Sequence, residues 1–177
     1  MKQILLSFLS VFSTLSYSQV PYQVAIGGAG GEWPYSIIET FDGGLVTSGN
    51  TDSFGAGSAD MYVVKTDSAG NILWTRTIGG TGFDVGLFGL QQTLDSGLIV
   101  GGYTNSYGAG GYDLLFVRLD RNGNLLWAKT VGGTLNDFGN DLIQTSDGGY
   151  CMCGHTFSYG VGGSDVYVVK LDASGNL

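Results

Sequence analysis

Apolar residues fall into two patterns along this chain. In Met61-Tyr62-Val63-Val64, Leu114-Leu115-Phe116-Val117 and Val166-Tyr167-Val168-Val169 they are consecutive, and a short run that is apolar on both faces reads as a strand buried on both sides. The flanking segments are rich in β-branched and aromatic residues, and glycine interrupts them too often for any helical period to develop. The order is fixed. In the first copy, residues 36–40 read as strand one, and Asp42-Gly43-Gly44 as a turn whose glycines accept positive φ. Leu45–Thr51 then reads as strand two and residues 61–66 as strand three. Asp67-Ser68-Ala69-Gly70-Asn71 forms a second turn, and Ile72–Ile78 reads as strand four.

The same landmarks return twice. Ile26-Gly27-Gly28 recurs as Ile78-Gly79-Gly80 and Val131-Gly132-Gly133, and Asp42-Gly43-Gly44 as Asp95-Ser96-Gly97 and Asp147-Gly148-Gly149. Asp60, Asp113 and Asp165 each open an apolar run, and Gly-Asn pairs at 70, 123 and 175 each precede Ile or Leu. The spacings alternate between 52 and 53, which a 52-residue unit explains if the second copy holds one extra residue between Gln91 and Leu94. A four-stranded antiparallel unit that is apolar on both faces must stack face to face on its copies. The expected fold is therefore all-β, a β-propeller-type array of three four-stranded antiparallel blades within a larger propeller. A parallel β-helix fits less well, because its coils are usually shorter and would not need three hairpin-type turns in each unit.

The units run at about 27–78, 79–131 and 132–177, with an extra strand over residues 20–26, since Tyr22 through Gly28 align with Trp74 through Gly80. Leu177 aligns with Ile72. Three blades are fewer than the roughly four to eight that close a ring, so further blades or self-association through the apolar end faces is expected.

At these landmarks the chain resembles the bacterial β-propeller repeat of secreted Gram-negative proteins. The shared features are the Gly-Gly start, the Asp-Gly-Gly hairpin, the Asp before strand three and the Asp-x-x-Gly-Asn turn before a Trp-bearing strand. The likeness covers Tyr22 to Leu177. It implies a secreted or surface-attached propeller and carries no shared catalytic motif.

Composition narrows the function classes. Gly supplies 32 of 177 residues and charged residues only 12%, while 43% apolar content is too high for a chain that stays unfolded. With seven Lys and Arg and a net charge of −8, the chain lacks the cationic surface that nucleic acid requires. Lys2, an apolar stretch over residues 4–15, and small residues at Ser16 and Ser18 read as a secretory signal over residues 1–18. That stretch is shorter than the roughly 20 residues that span a bilayer. The expected mature protein begins at Gln19 and is secreted or held at the cell surface, with no membrane insertion after cleavage.

Candidate chemistry is sparse. Cys151, Cys153 and His155 alternate along one strand and share a face. Their counterparts Val46 and Ile99, Ser48 and Gly101, Asn50 and Tyr103 favour packing roles, so no metal is expected and the thiols stay separate. Asp120-Arg121-Asn122-Gly123-Asn124 could ligate calcium, but the other copies place Ala69 and Ser174 at the middle position, and a self-capped turn needs no ion. Asp60, Asp113 and Asp165 recur with Lys65, Arg118 and Lys170. Recurrence points to structure, with the acid capping loop amides and the cation covering a blade edge. The best ligand-binding candidates are Phe54, Tyr107 and Tyr159, one aromatic in each connection between strands two and three, flanked by hydroxyls and glycines. The expected function is a non-catalytic scaffold or binding module for protein or polysaccharide, without a cofactor. The alternative is the repeat portion of a secreted, endoglucanase-like glycoside hydrolase.

Overall fold

A computed structural model describes residues 21–177, and the expected signal over residues 1–18 lies outside the described residues. Every regular element among those described is a strand. β1 (Glu32–Glu39), β2 (Leu45–Thr51), β3 (Asp60–Thr66) and β4 (Ile72–Ile78) form one antiparallel sheet in chain order. β5 (Asp84–Gln92), β6 (Leu98–Thr104), β7 (Asp113–Leu119) and β8 (Leu125–Val131) form the second. β9 (Asp137–Gln144), β10 (Tyr150–Thr156) and β11 (Asp165–Leu171) form the third. The third sheet has three strands rather than the expected four.

Turn chemistry sets these boundaries. Asp42 closes the β1–β2 turn by accepting the Gly44 amide at 3.1 Å, with Gly43 at φ 77°. In the second sheet Ser96 takes that position at φ 68°, the one non-glycine residue with positive φ among the described residues. The Asp-x-x-Gly-Asn turns lock themselves in the expected way: Asp67 Oδ1 accepts the Ala69 and Asn71 amides at 2.9 Å each, and Gly70 sits at φ 84°.

Strand one is longer than the sequence suggested because it continues past a bulge. In β1 the register slips between Pro34 and Ser36, and in β5 between Gly86 and Leu90. Gly86 pairs with Gly102 but Leu90 with Val100, so the extra residue of the second unit lies inside this bulge and not between Gln91 and Leu94. A bulge absorbs an insertion without changing which face the rest of the strand presents.

The sheets pack face to face, and the core lies between them. Val46, Met61 and Val63 of the first sheet meet Leu90, Val100 and Val117 of the second. On the far face of the second sheet, Ile99, Leu114 and Phe116 meet Leu142, Met152 and Val169 of the third. The middle sheet is therefore covered on both sides, and β7 is buried at every position. The equivalent β11 is buried only where it faces the second sheet, leaving Val166 and Val168 exposed.

Residues 21–31 carry no strand. The stretch aligned with strand four instead runs along the outer face of the first sheet, where Tyr22, Val24 and Ile26 line a groove of about 290 Å³ with Ile37, Tyr62 and Val64. Tyr22 lies over Gly70 as Trp74 lies over Gly123 and Trp127 over Gly175.

Candidate functional site

One end of the stack collects the Gly-Gly passages, the long connections between strands two and three, and the first residues of β1, β5 and β9. The opposite end carries the tight turns. The long connections are held from within. Asp60 accepts the Gly57 amide at 3.1 Å, Asp113 the Ala109 amide at 2.9 Å and Asp165 the Val161 amide at 3.1 Å, so the acids cap loop amides as expected. The cations do something else. Lys65 and Arg118 are buried between sheets instead of covering an edge: Lys65 Nζ donates to Thr40 Oγ1 at 2.7 Å and Asp42 Oδ1 at 2.8 Å. Arg118 reaches both Asp95 oxygens at 2.6 Å and the Tyr150 hydroxyl at 2.9 Å. Lys170 pairs with Asp147 but stays half exposed, because no sheet lies over it among the described residues.

A second set of acids, at the head of strand one, organises this end. Asp137 accepts hydrogen bonds from the Thr156 hydroxyl, from the Gly133 amide at 2.6 Å and from Ser158 Oγ at 2.7 Å. Asp84 is bound in the same way by Thr104, Gly80 and Ser106, and Glu32 replaces it in the first unit, bonded to Thr51 and Gly28. Sequence reading passed over these acids, although Glu32, Asp84 and Asp137 recur in step with Thr-x-Ser at 51, 104 and 156.

The two sets of acids meet. A Cβ at Gly132 would strike the Asp113 carboxylate and come within 2.8 Å of Asp137 Oδ2, and Gly79 stands likewise between Asp60 and Asp84. Asp113 Oδ1 is buried without a hydrogen-bond partner. Burial, and then the charge of Asp137, raises its pKa above the usual carboxylate value. Burial also opposes the charge on Asp137, but its hydrogen bonds from Thr156, Gly133 and Ser158 prevail and hold it below the usual value. Opposed shifts in neighbouring carboxyls are what acid–base catalysis uses. Here both residues are sealed, Asp113 at 1% and Asp137 at 0% exposure. The pair has no open face to offer a substrate.

The rim aromatics are partly tethered. Tyr107 donates its hydroxyl to Gly79 O at 3.2 Å and Tyr159 to Gly132 O at 3.0 Å, each folding back over the Gly-Gly start of its own unit. Phe54 packs beside Gly28 and against Tyr62, ring centroids 5.6 Å apart. All three keep exposed surface, and no close ring pair joins one to another among the described residues. Cys151, Cys153 and His155 lie on the outer face of the third sheet opposite Lys170, Val168 and Val166. Both thiols are free, and among the described residues no three His, Cys, Asp or Glu side chains are grouped to hold a metal. The His155 ring stacks on Phe138 at 4.9 Å. In the Asp120 turn, Asn122 and Asn124 donate to the carboxylate that a calcium ion would need.

Between the second and third sheets Tyr103, Tyr112 and Phe138 form a ring cluster that sequence reading also missed. Its signal was departure from the repeat: the first junction has Asn50, Ala59 and Val85 there. The chain matches no protein-family model and no curated protein.

Proposed function

We propose that this chain is a stretch of a secreted or cell-surface β-propeller, of the bacterial repeat type it resembles, acting as a non-catalytic scaffold or binding module. The single observation behind this reading is the repeated sheet with two apolar faces. Each junction uses the same positions of strands two and three, so the stack extends by repetition and exposes apolar residues wherever a neighbour is missing. Radial repetition of such sheets is the propeller solution. The paired acids at the loop end, whose opposed shifts would suit a hydrolase, are taken up in closed locks between Gly-Gly passages and loops, which favours binding over turnover. Protein or polysaccharide is the ligand class, met at the loop end.

Expression of the full chain in a Gram-negative host, with mass spectrometry of the exported material, tests the address: the mature N-terminus should be Gln19. Incubation of that material with soluble glucans tests the activity. Release of reducing ends, abolished by Asp113→Asn or Asp137→Asn, would replace this reading with the hydrolase one.

A further inference from the structure

At the second junction the rings of Tyr103, Tyr112 and Phe138 have centroid separations of 5.3, 5.0 and 5.2 Å. His155 and Phe157 continue the cluster, the latter edge-on to the histidine at 6.1 Å. None of these five rings is fully buried, and Phe157 is exposed. Packing does not demand them, because the first junction closes with Asn50, Ala59 and Val85 at the corresponding positions. Features present at every junction serve the stack; an aromatic patch built once, at the loop end, is free to serve something else.

The polar groups of the patch are also free. The hydroxyls of Tyr107, Tyr150 and Tyr159 each have a partner, whereas those of Tyr103 and Tyr112 have none among the described residues. Burial, and then the neighbouring Tyr112 and Tyr35, raises the pKa of Tyr103, so this phenol stays a neutral donor at physiological pH. The described cations lie elsewhere. Lys65, Arg118, Arg121 and Lys170 are at the turn end of the strands, and Arg76 and Lys129 are on β4 and β8. An acidic glycan, a nucleic acid or a phospholipid head would find no counter-charge at the patch. A ligand with flat apolar faces and a hydroxyl-rich rim would find both rings and hydrogen-bonding groups.

We propose that this patch binds an uncharged polysaccharide, with sugar rings resting their C–H faces on Tyr103, Tyr112 and Phe157 and their hydroxyls bonding to the tyrosine tips and His155. The assignment deepens the binding-module reading and rests on it. The test is titration of the full chain with cellohexaose and maltohexaose, with hexagalacturonate as the charged counterpart, followed by calorimetry and tyrosine fluorescence. At least one neutral hexamer should bind saturably and hexagalacturonate should not. Phe157→Ala should weaken binding about tenfold, and Tyr103→Phe or Tyr112→Phe, which keep the packing, should weaken it a few-fold without moving the thermal midpoint. Three results would overturn the assignment: no saturable binding of either neutral hexamer by folded protein, preference for hexagalacturonate, or binding that responds only to Tyr107→Ala or Tyr159→Ala. The last would move the ligand to the rim and leave the binding module standing. A failure of export or a release of reducing ends bears on the module itself and not on this patch.

Discussion

Asp42 and Asp113 are both aspartates at sheet junctions, and they answer pH in opposite directions. The Lys65 ammonium, helped by the Thr40 hydroxyl, holds Asp42 down to about 2 from an ordinary 3.8. Because the folded value is the lower one, the stabilisation is present above about pH 4 and is lost as pH falls toward 2. Thermal midpoints measured from pH 6 to pH 2 should therefore fall less steeply for Asp42→Asn than for the native chain. At neutral pH that variant should be destabilised by about 1–2 kcal/mol, because it strips a buried ammonium of its charged partner. Asp147→Asn should leave the neutral-pH midpoint unchanged, since Lys170 is solvated. For Asp113 the folded value is raised, so its contribution is complete below the unfolded value and is lost as pH rises through the folded one. Asp113→Asn keeps an acceptor for the Ala109 and Gly110 amides and can turn its new N–H toward Asp137. It should raise the midpoint at pH 7, and a lower midpoint there would refute the paired-acid account.

The three units place one side chain in two environments and so separate propensity from packing. Ile37, Leu90 and Leu142 occupy corresponding positions of β1, β5 and β9. Leu142 fits over Gly101 and Met152 and is 4% exposed, whereas Ile37 faces the open side of the first sheet at 60%. Leu142→Ala should cost about 2–5 kcal/mol in denaturant unfolding, and Ile37→Ala should stay within about 0.5 kcal/mol; equal losses would mean that the stacking order is wrong. Strand identity and turn positions were legible in the sequence because glycine and aspartate act locally: Gly43, Gly70 and Gly123 sit at positive φ where a turn demands it. The bulges were not legible. Nothing in Gly86 through Leu90 alone says which residue drops out of the ladder, since that depends on pairing with β6. The burial of Lys65 and Arg118 was hidden for a related reason, because a charge reads as solvent-facing until its partner from another strand is known. Similarly, the patch of Tyr103, Tyr112 and Phe138 joins residues from two strands and the loop before β7 and shows only as a lapse in periodicity.

On the scale of the molecule, the stack has two unlike ends. The outer face of the first sheet is partly screened by Tyr22, Val24 and Ile26. The outer face of the third presents Cys153, Val166 and Val168 with nothing over them among the described residues. These ends correspond to the two sides of a working junction, so an extended stack would place Ile37 against Cys153 as Leu142 is placed against Gly101. Multi-angle light scattering at micromolar concentration should show association, and Val168→Lys should reduce it while leaving the circular dichroism unchanged. A monodisperse monomer in both chains would argue that the end faces are tolerated in water.

The ring-over-glycine contacts give the molecule its own optical reporters. Trp74 senses the boundary between the first and second sheets through Gly123, and Trp127 the boundary between the second and third through Gly175. With Trp33→Phe in the background and one of the other two indoles replaced by phenylalanine, each emission spectrum watches a single boundary during unfolding. Among the described residues the third sheet is gripped on one side only, so the Trp127 signal should shift at lower denaturant than that of Trp74, and the array should peel from that end before the remainder melts.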